Sequence, residues 1–202
     1  MSTANGQRLR IHAEKRGVVA LCFLIGLGSI VPSATARAQA IERFLSSGSA
    51  PPNILEGVAI PSSSDLLLLS GQTASLSDSP DRPVTRDVTR AQLGDTQAQT
   101  LNILGKIEAT LARRGYRMSD VVKLTVYLVG DPALGGAMDY AGMNDAYRQY
   151  FGQYFGARTN PNLATRATVQ VVALAEPAFL VEIEAVAARE HAGRLPRHRS
   201  PS

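Results

Sequence analysis

The chain has 202 residues, 45% of them hydrophobic, with one cysteine and a formal net charge of +4. The excess positive charge belongs to the first 40 residues, and beyond them Lys+Arg and Asp+Glu number 16 each. A nucleic-acid binder needs a basic face on its folded body, so that class is disfavoured, and with Cys22 in the leading segment a disulfide framework is excluded from the rest.

Residues 1–40 have the layout of a secretory signal. Arg8, Arg10, Lys15 and Arg16 precede an uncharged apolar run over 17–31, and small residues then lead to Ala38-Gln39-Ala40. The run is shorter than the roughly 20 residues of a membrane span, so cleavage after Ala40 and a periplasmic or secreted location are expected. Residues 41–53, rich in Ser, Gly and Pro, are expected to be a linker. Two apolar stretches, 54–60 and 66–69, flank a turn cluster and predict adjacent strands. Residues 73–94 lack periodicity and predict a long loop.

The clearest helix covers 95–114. Ala98, Leu101, Leu104, Ile107 or Glu108, and Leu111 recur at helical spacing, with Asp95 as N-cap and Gly115 just beyond the C-terminus. Residues 121–129 read as a strand with Val122, Leu124, Val126 and Leu128 on one face. A second helix is expected over 138–150. Two final strands, 167–174 and 179–188, are joined by a segment short enough for a hairpin. The tail from 191 is basic and reads as disordered.

The order ββ–α–β–α–ββ predicts an α+β domain over 54–190, with two helices on one face of a mixed sheet. Such a two-layer domain leaves its other sheet face uncovered. Leu66–Leu69 is apolar on both faces, so burial of that face by other copies of the chain is expected.

Beyond residue 40 there is no cysteine, and both histidines, His191 and His198, lie in the predicted tail. That disfavours a metal centre and a serine nucleophile activated by histidine. No glycine-rich phosphate loop is present, since Gly135-Gly136 lacks a following lysine and any strand-to-helix fingerprint. The chemistry left to this domain uses Arg, Glu, Asn, backbone groups and water.

Ser70-Gly71-Gln72 after an apolar strand, Asn144 and Tyr147 in MNDAYRQYF, Arg166 in ATRATVQV and Glu182 in LVEIEAVAA resemble, in order and spacing, the RidA/YjgF family of reactive-intermediate (enamine/imine) deaminases. The resemblance covers about 54–188. It implies a chorismate-mutase-like fold assembled as a trimeric barrel, a homotrimer with clefts at subunit boundaries. It also implies no metal and no organic cofactor. The implied reaction is hydrolysis of 2-imino acids, in exchange with enamines, to 2-oxo acids and ammonium.

By the same resemblance, Arg166 holds the substrate carboxylate, a task suited to a guanidinium that gives two parallel charge-assisted hydrogen bonds. Glu182 positions the water that adds to the C=N carbon. Ser70, Gly71, Asn144 and Thr168 bind substrate or shape its pocket. The alternative is a carboxylate-binding protein on the same scaffold without turnover. Ile54 stands where many members have a pocket tyrosine, which makes the pocket more apolar. Glu184 and Tyr147 are expected to be structural. A hairpin centred near Pro177 would pair Arg166 with Ala188 and leave Glu182 about 20 Å away along the ladder. One subunit could then not bring the two together.

Overall fold

Two strands, β4 (Val121–Val129) and β6 (Val181–Glu190), run antiparallel through the middle of a four-stranded sheet. Outside them lie β3 (Ser64–Thr73), antiparallel to β6, and β5 (Thr165–Val171), parallel to β4, giving the order β3-β6-β4-β5. The computed structural model describes residues 40–45, 54–151 and 163–191. The predicted signal up to residue 39 and the tail beyond 191 lie outside the described residues. Among the described residues no helix is long and apolar enough to cross a membrane.

Burial explains which strands take the centre. In β4, Val122, Leu124, Val126 and Leu128 are all buried, as their alternation predicts. In β6, Val181, Ile183, Ala185 and Ala187 face the same core. β5 instead presents Arg166, Thr168 and Gln170 opposite Leu124, Val126 and Leu128. A strand with polar side chains on its inward face is poorly suited to the middle of a sheet.

The two last strands therefore do not form the expected hairpin. β5 takes the edge beside β4, and β6 inserts between β4 and β3. The connection between them is pinned by the buried Gln99, which donates to Ala178 O at 3.0 Å and accepts from Leu180 N at 2.9 Å.

The helical layer consists of α2 (Thr96–Arg113), preceded by a single turn, α1 (Arg90–Leu93), and α3 (Tyr140–Phe151). Asp95 caps α2 by accepting from Ala98 N at 2.8 Å, and Gly115 adopts a left-handed φ of +74° just beyond its end. The buried face of α2 is rotated from the predicted one. Ala98 is exposed and Leu101 half-buried, while Gln99 and Ile103 join Leu104, Ile107 and Leu111 inside. Gln99 is invisible to a hydrophobic pattern because its burial depends on hydrogen bonds across the fold. Both helices cover one face of the sheet, where Met143, Tyr147 and Phe151 of α3 complete the core.

Three more expectations need correction. The two early stretches are strands, but not neighbours: β2 (Leu55–Ala59) pairs with β1 (Glu42–Leu45) in a separate two-stranded sheet. β1 lies inside the stretch expected to be a linker. Its Arg43 reaches three backbone carbonyls, Val121 O at 3.0 Å, Leu163 O at 2.7 Å and Ser119 O at 2.9 Å. The expected loop over 73–94 contains α1, and its Leu76, Val88 and Leu93 form a small apolar cluster with Ala178 and Phe179 from the segment before β6. At the end of β6, His191 approaches Asp65 Oδ1 through Nδ1 at 2.8 Å.

Candidate functional site

The six candidate residues fall into two groups on opposite faces of the sheet. Arg166, Thr168 and Asn144 lie on the helical side, where β5 meets α3. Ser70, Gly71 and Glu182 lie where β3 meets β6, and Glu182 points to the uncovered face, since Val181 and Ile183 on either side of it enter the core.

Arg166 is held by one face of α3. Tyr140, Asn144 and Tyr147 are spaced at i, i+4 and i+7, which places them on one stripe of a helix. The Arg166 guanidinium lies 4.2 Å from the Tyr147 ring centroid and 5.8 Å from that of Tyr140. Its Nη2 donates to Asn144 Oδ1 at 2.8 Å and to the Tyr140 hydroxyl at 3.2 Å, and Nη1 lies 3.8 Å from Met143 Sδ. Asn144 is buried, and its Nδ2 donates to Tyr140 O at 3.0 Å. It is thus a brace for both the helix and the guanidinium.

Tyr147 belongs to the core, as expected, and also floors the arginine. Burial pushes its phenol up to about 12, an effect eased by the neighbouring Arg166 charge. Thr168 stands two residues further along β5, opposite Val126, with its hydroxyl buried and unpartnered. Among the described residues no carboxylate pairs with Arg166. The arrangement leaves a rigid, half-buried cation able to receive an anion.

The second group is built on a β-bulge. The β3–β6 register shifts between Leu69 and Gln72, so Ser70 and Gly71 both oppose Glu184. Gly71 lies directly against Glu182. A Cβ added to it would stand 2.8 Å from the Glu182 Cδ and 3.1 Å from its Cγ, with Oε1 nearer still. Glycine here leaves the Glu182 carboxyl its present position, which any larger residue would displace. Lys106 ties the end of β3 by donating to Thr73 O at 2.8 Å and Ser75 Oγ at 2.9 Å, and burial lowers its pKa. Tyr127, across from Glu182, donates to Glu184 Oε2 at 3.2 Å. Burial and the two carboxylates push its phenol up.

The two groups do not meet within one chain. Arg166 pairs with Leu124, which pairs with Ala185, whereas Glu182 lies three residues further along β6. Two strand spacings across and three residues along separate the Cα atoms by roughly 14 Å. Without the expected hairpin the distance is shorter than the expected 20 Å, but the opposite faces still keep Arg166 and Glu182 apart within one chain.

Tyr140 and Tyr127 were missed from the sequence. The helical spacing of Tyr140 to Asn144 was a usable signal, whereas Tyr127 needed the strand register. Among the described residues, no group of three or more His, Cys, Asp or Glu is arranged to hold a metal ion. Ile54, in the place expected for a tyrosine, is half-buried against the main core.

Residues 56–189 match the family model described as Endoribonuclease L-PSP. The RutC family protein PH0854 of Pyrococcus horikoshii is 33% identical over 126 residues, 62% of this chain and 81% of that protein. The Escherichia coli K12 protein named "Putative reactive intermediate deaminase TdcF" is 33% identical over 95 residues, 47% of this chain and 64% of that protein. Among solved structures, YyfB of Yersinia pestis, from the conserved Rid protein family, is similar at 25% identity. Its TM-score is 0.51, over 73% of this chain and 98% of that one.

Proposed function

The chain belongs to the Endoribonuclease L-PSP family, the YjgF/RidA proteins, and from that premise we propose that it hydrolyses reactive 2-imino acids to 2-oxo acids and ammonium. The observation that carries this reading is the Arg166 guanidinium, oriented by Asn144 and Tyr147 and paired with no carboxylate among the described residues. Such a group binds a planar carboxylate through charge-assisted hydrogen bonds and stays protonated.

The chemistry is an addition followed by an elimination. Glu182 orients a water and accepts its proton as the oxygen bonds to the C=N carbon, while the imine nitrogen takes up a proton. The resulting carbinolamine collapses: its hydroxyl releases a proton to solvent as the C=O bond forms, the C–N bond breaks, and ammonia leaves with the proton returned by Glu182, so the solvent proton first taken up by the imine nitrogen is given back. The electron count of the carbon does not change, so the reaction calls for no redox partner. Ser70, Gly71 and Thr168 shape the pocket.

A short imino acid cannot span roughly 14 Å and two sheet faces. The proposed site therefore joins Arg166 and Asn144 of one copy to Gly71 and Glu182 of another, in a homotrimer. Leu66, Leu68 and Val169, exposed on the uncovered face, support that assembly. The signal-like first 40 residues support an exported location, which N-terminal sequencing of the protein from fractionated cells tests.

The test of activity is direct. 2-Aminoacrylate generated by a dehydratase should disappear faster with the purified protein than by spontaneous hydrolysis, and Arg166→Ala should abolish the acceleration. No acceleration with any short imino acid would leave the second reading, a carboxylate-binding protein without turnover. Ile54 favours that second reading, because it puts a methyl-bearing side chain where a hydroxyl was expected. Charge disfavours the ribonuclease of the family's description. With acidic and basic residues equal in number beyond residue 40, the excess positive charge that phosphate binding draws on is missing.

A further inference from the structure

We propose that Tyr140 is a second member of the anion clamp, donating its phenolic proton to the carboxylate held by Arg166. The inference rests on the reading of Arg166 as a carboxylate clamp and adds a residue to it. Tyr140 is the first residue of α3 and is 46% exposed. Its hydroxyl oxygen accepts from Arg166 Nη2 at 3.2 Å. A phenol has one proton to give, and accepting a hydrogen bond from a guanidinium leaves that proton uncommitted.

The two partners of Nη2 differ in a way that orients the ligand. Asn144 is buried and approaches from the core, at 2.8 Å, whereas Tyr140 approaches from the solvent side. An incoming carboxylate reaches the guanidinium from the Tyr140 side. Both N–H groups of Nη2 are already given to Asn144 and Tyr140, so the carboxylate is left to Nη1 and Nε, and an oxygen taking a hydrogen bond from Nη1 on that side can also accept from the phenol. The carboxylate then accepts from a cation and from a neutral donor at once.

Tyr140 is also held in place. Its carbonyl accepts from Asn144 Nδ2 at 3.0 Å, so one amide fixes both the tyrosine backbone and the arginine. Its own N–H donates to Met138 O at 3.0 Å, and Met138 N donates to Gln170 Oε1 on β5 at 3.1 Å. The start of α3 and the edge strand are thereby tied together, which sets the phenol against the guanidinium. The ligand class that fits is a 2-imino or 2-oxo monocarboxylate.

The test uses the full chain and pyruvate, an unreactive 2-oxo acid, followed by calorimetry, together with the KM and kcat for 2-aminoacrylate. Tyr140→Phe should weaken pyruvate binding and raise KM by about tenfold, the size of one hydrogen bond to a charged group, with kcat within about twofold. Arg166→Ala should lose binding altogether. If Tyr140→Phe binds pyruvate like the wild type while Arg166→Ala does not bind, the Tyr140 assignment is overturned and the arginine clamp survives. If the wild type and Arg166→Ala bind pyruvate equally, the clamp itself fails and Tyr140 falls with it.

Discussion

Arg166 and Asn144 meet where the edge strand packs on α3, with Nη2 donating to Oδ1 at 2.8 Å. The same asparagine spends its Nδ2 on the Tyr140 carbonyl, so its side-chain oxygen is left facing the guanidinium. Asn144→Asp would turn that oxygen into part of a carboxylate and neutralise the cation from within. Carboxylate binding should fall at least 100-fold, approaching Arg166→Ala, while the unfolding midpoint falls modestly because the second carboxylate oxygen replaces the donor to Tyr140 O. Pyruvate titration beside urea denaturation checks both halves.

The contact between Gly71 and Glu182 predicts a coupled pair. Gly71→Ala places a methyl group where the Glu182 carboxyl lies, and because the end of that half-exposed side chain can swing aside the stability cost should stay under about 1 kcal/mol. It should also reduce turnover by displacing the carboxylate. Glu182→Ala removes the obstacle, so the double variant should regain most of the stability but none of the activity. A double-mutant cycle from urea unfolding measures the coupling.

Arg43 gives three hydrogen bonds to carbonyls of Ser119, Val121 and Leu163, and burial lowers its pKa. Arg43→Met keeps much of the bulk and removes the donors. A loss of about 3 kcal/mol is expected, since hydrogen bonds to charged groups contribute roughly 1.5–3 kcal/mol each and do not add fully. Hydrogen exchange should rise first at the start of β5, next to Leu163.

Stability should fall in alkali through Tyr147. Its phenol is raised from 10.0 to about 12 by burial, so between those values the folded chain holds a proton that the unfolded chain releases. The neutral form's contribution is complete below pH 10 and is lost as pH rises towards 12, in total roughly 2–3 kcal/mol. Urea unfolding from pH 8 to 12 should show this slope, and Tyr147→Phe should flatten it.

The uncovered face offers Leu68, 70% exposed and opposite Val186 on β6. Leu68→Glu should convert the proposed trimer to monomer in sedimentation velocity without unfolding it. If the site is shared between copies, turnover should disappear with the assembly. An active monomer would contradict the shared site.

Much of the secondary structure was legible because local signals agreed. Asp95 and Gly115 bracket α2, and the alternation of Val122, Leu124, Val126 and Leu128 marks β4 with its buried face. The α+β class and the uncovered sheet face follow from the order of such elements. Strand pairing was less legible. A short link between two apolar runs suggests a hairpin, but the polar inward face of β5 suits an edge, and Gln99 holds the link open by bonding Ala178 and Leu180. Neither fact is local to the link.

By itself the sequence determined which residue types were available. Beyond residue 40 it has no thiol and a balance of charge, and it carries Arg166, Asn144, Glu182 and the Ser70-Gly71 step in an order that resembles one family. Only the tertiary structure decided how they are grouped. Arg166 turns towards α3 because its register partner Leu124 faces the core, and Glu182 turns away because Val181 and Ile183 take the inward positions. Side chains alternate faces along a strand, and strand order is set by burial over the whole sheet. Arg166 and Glu182 are therefore divided between opposite faces of one sheet, a relationship that sequence distance does not encode.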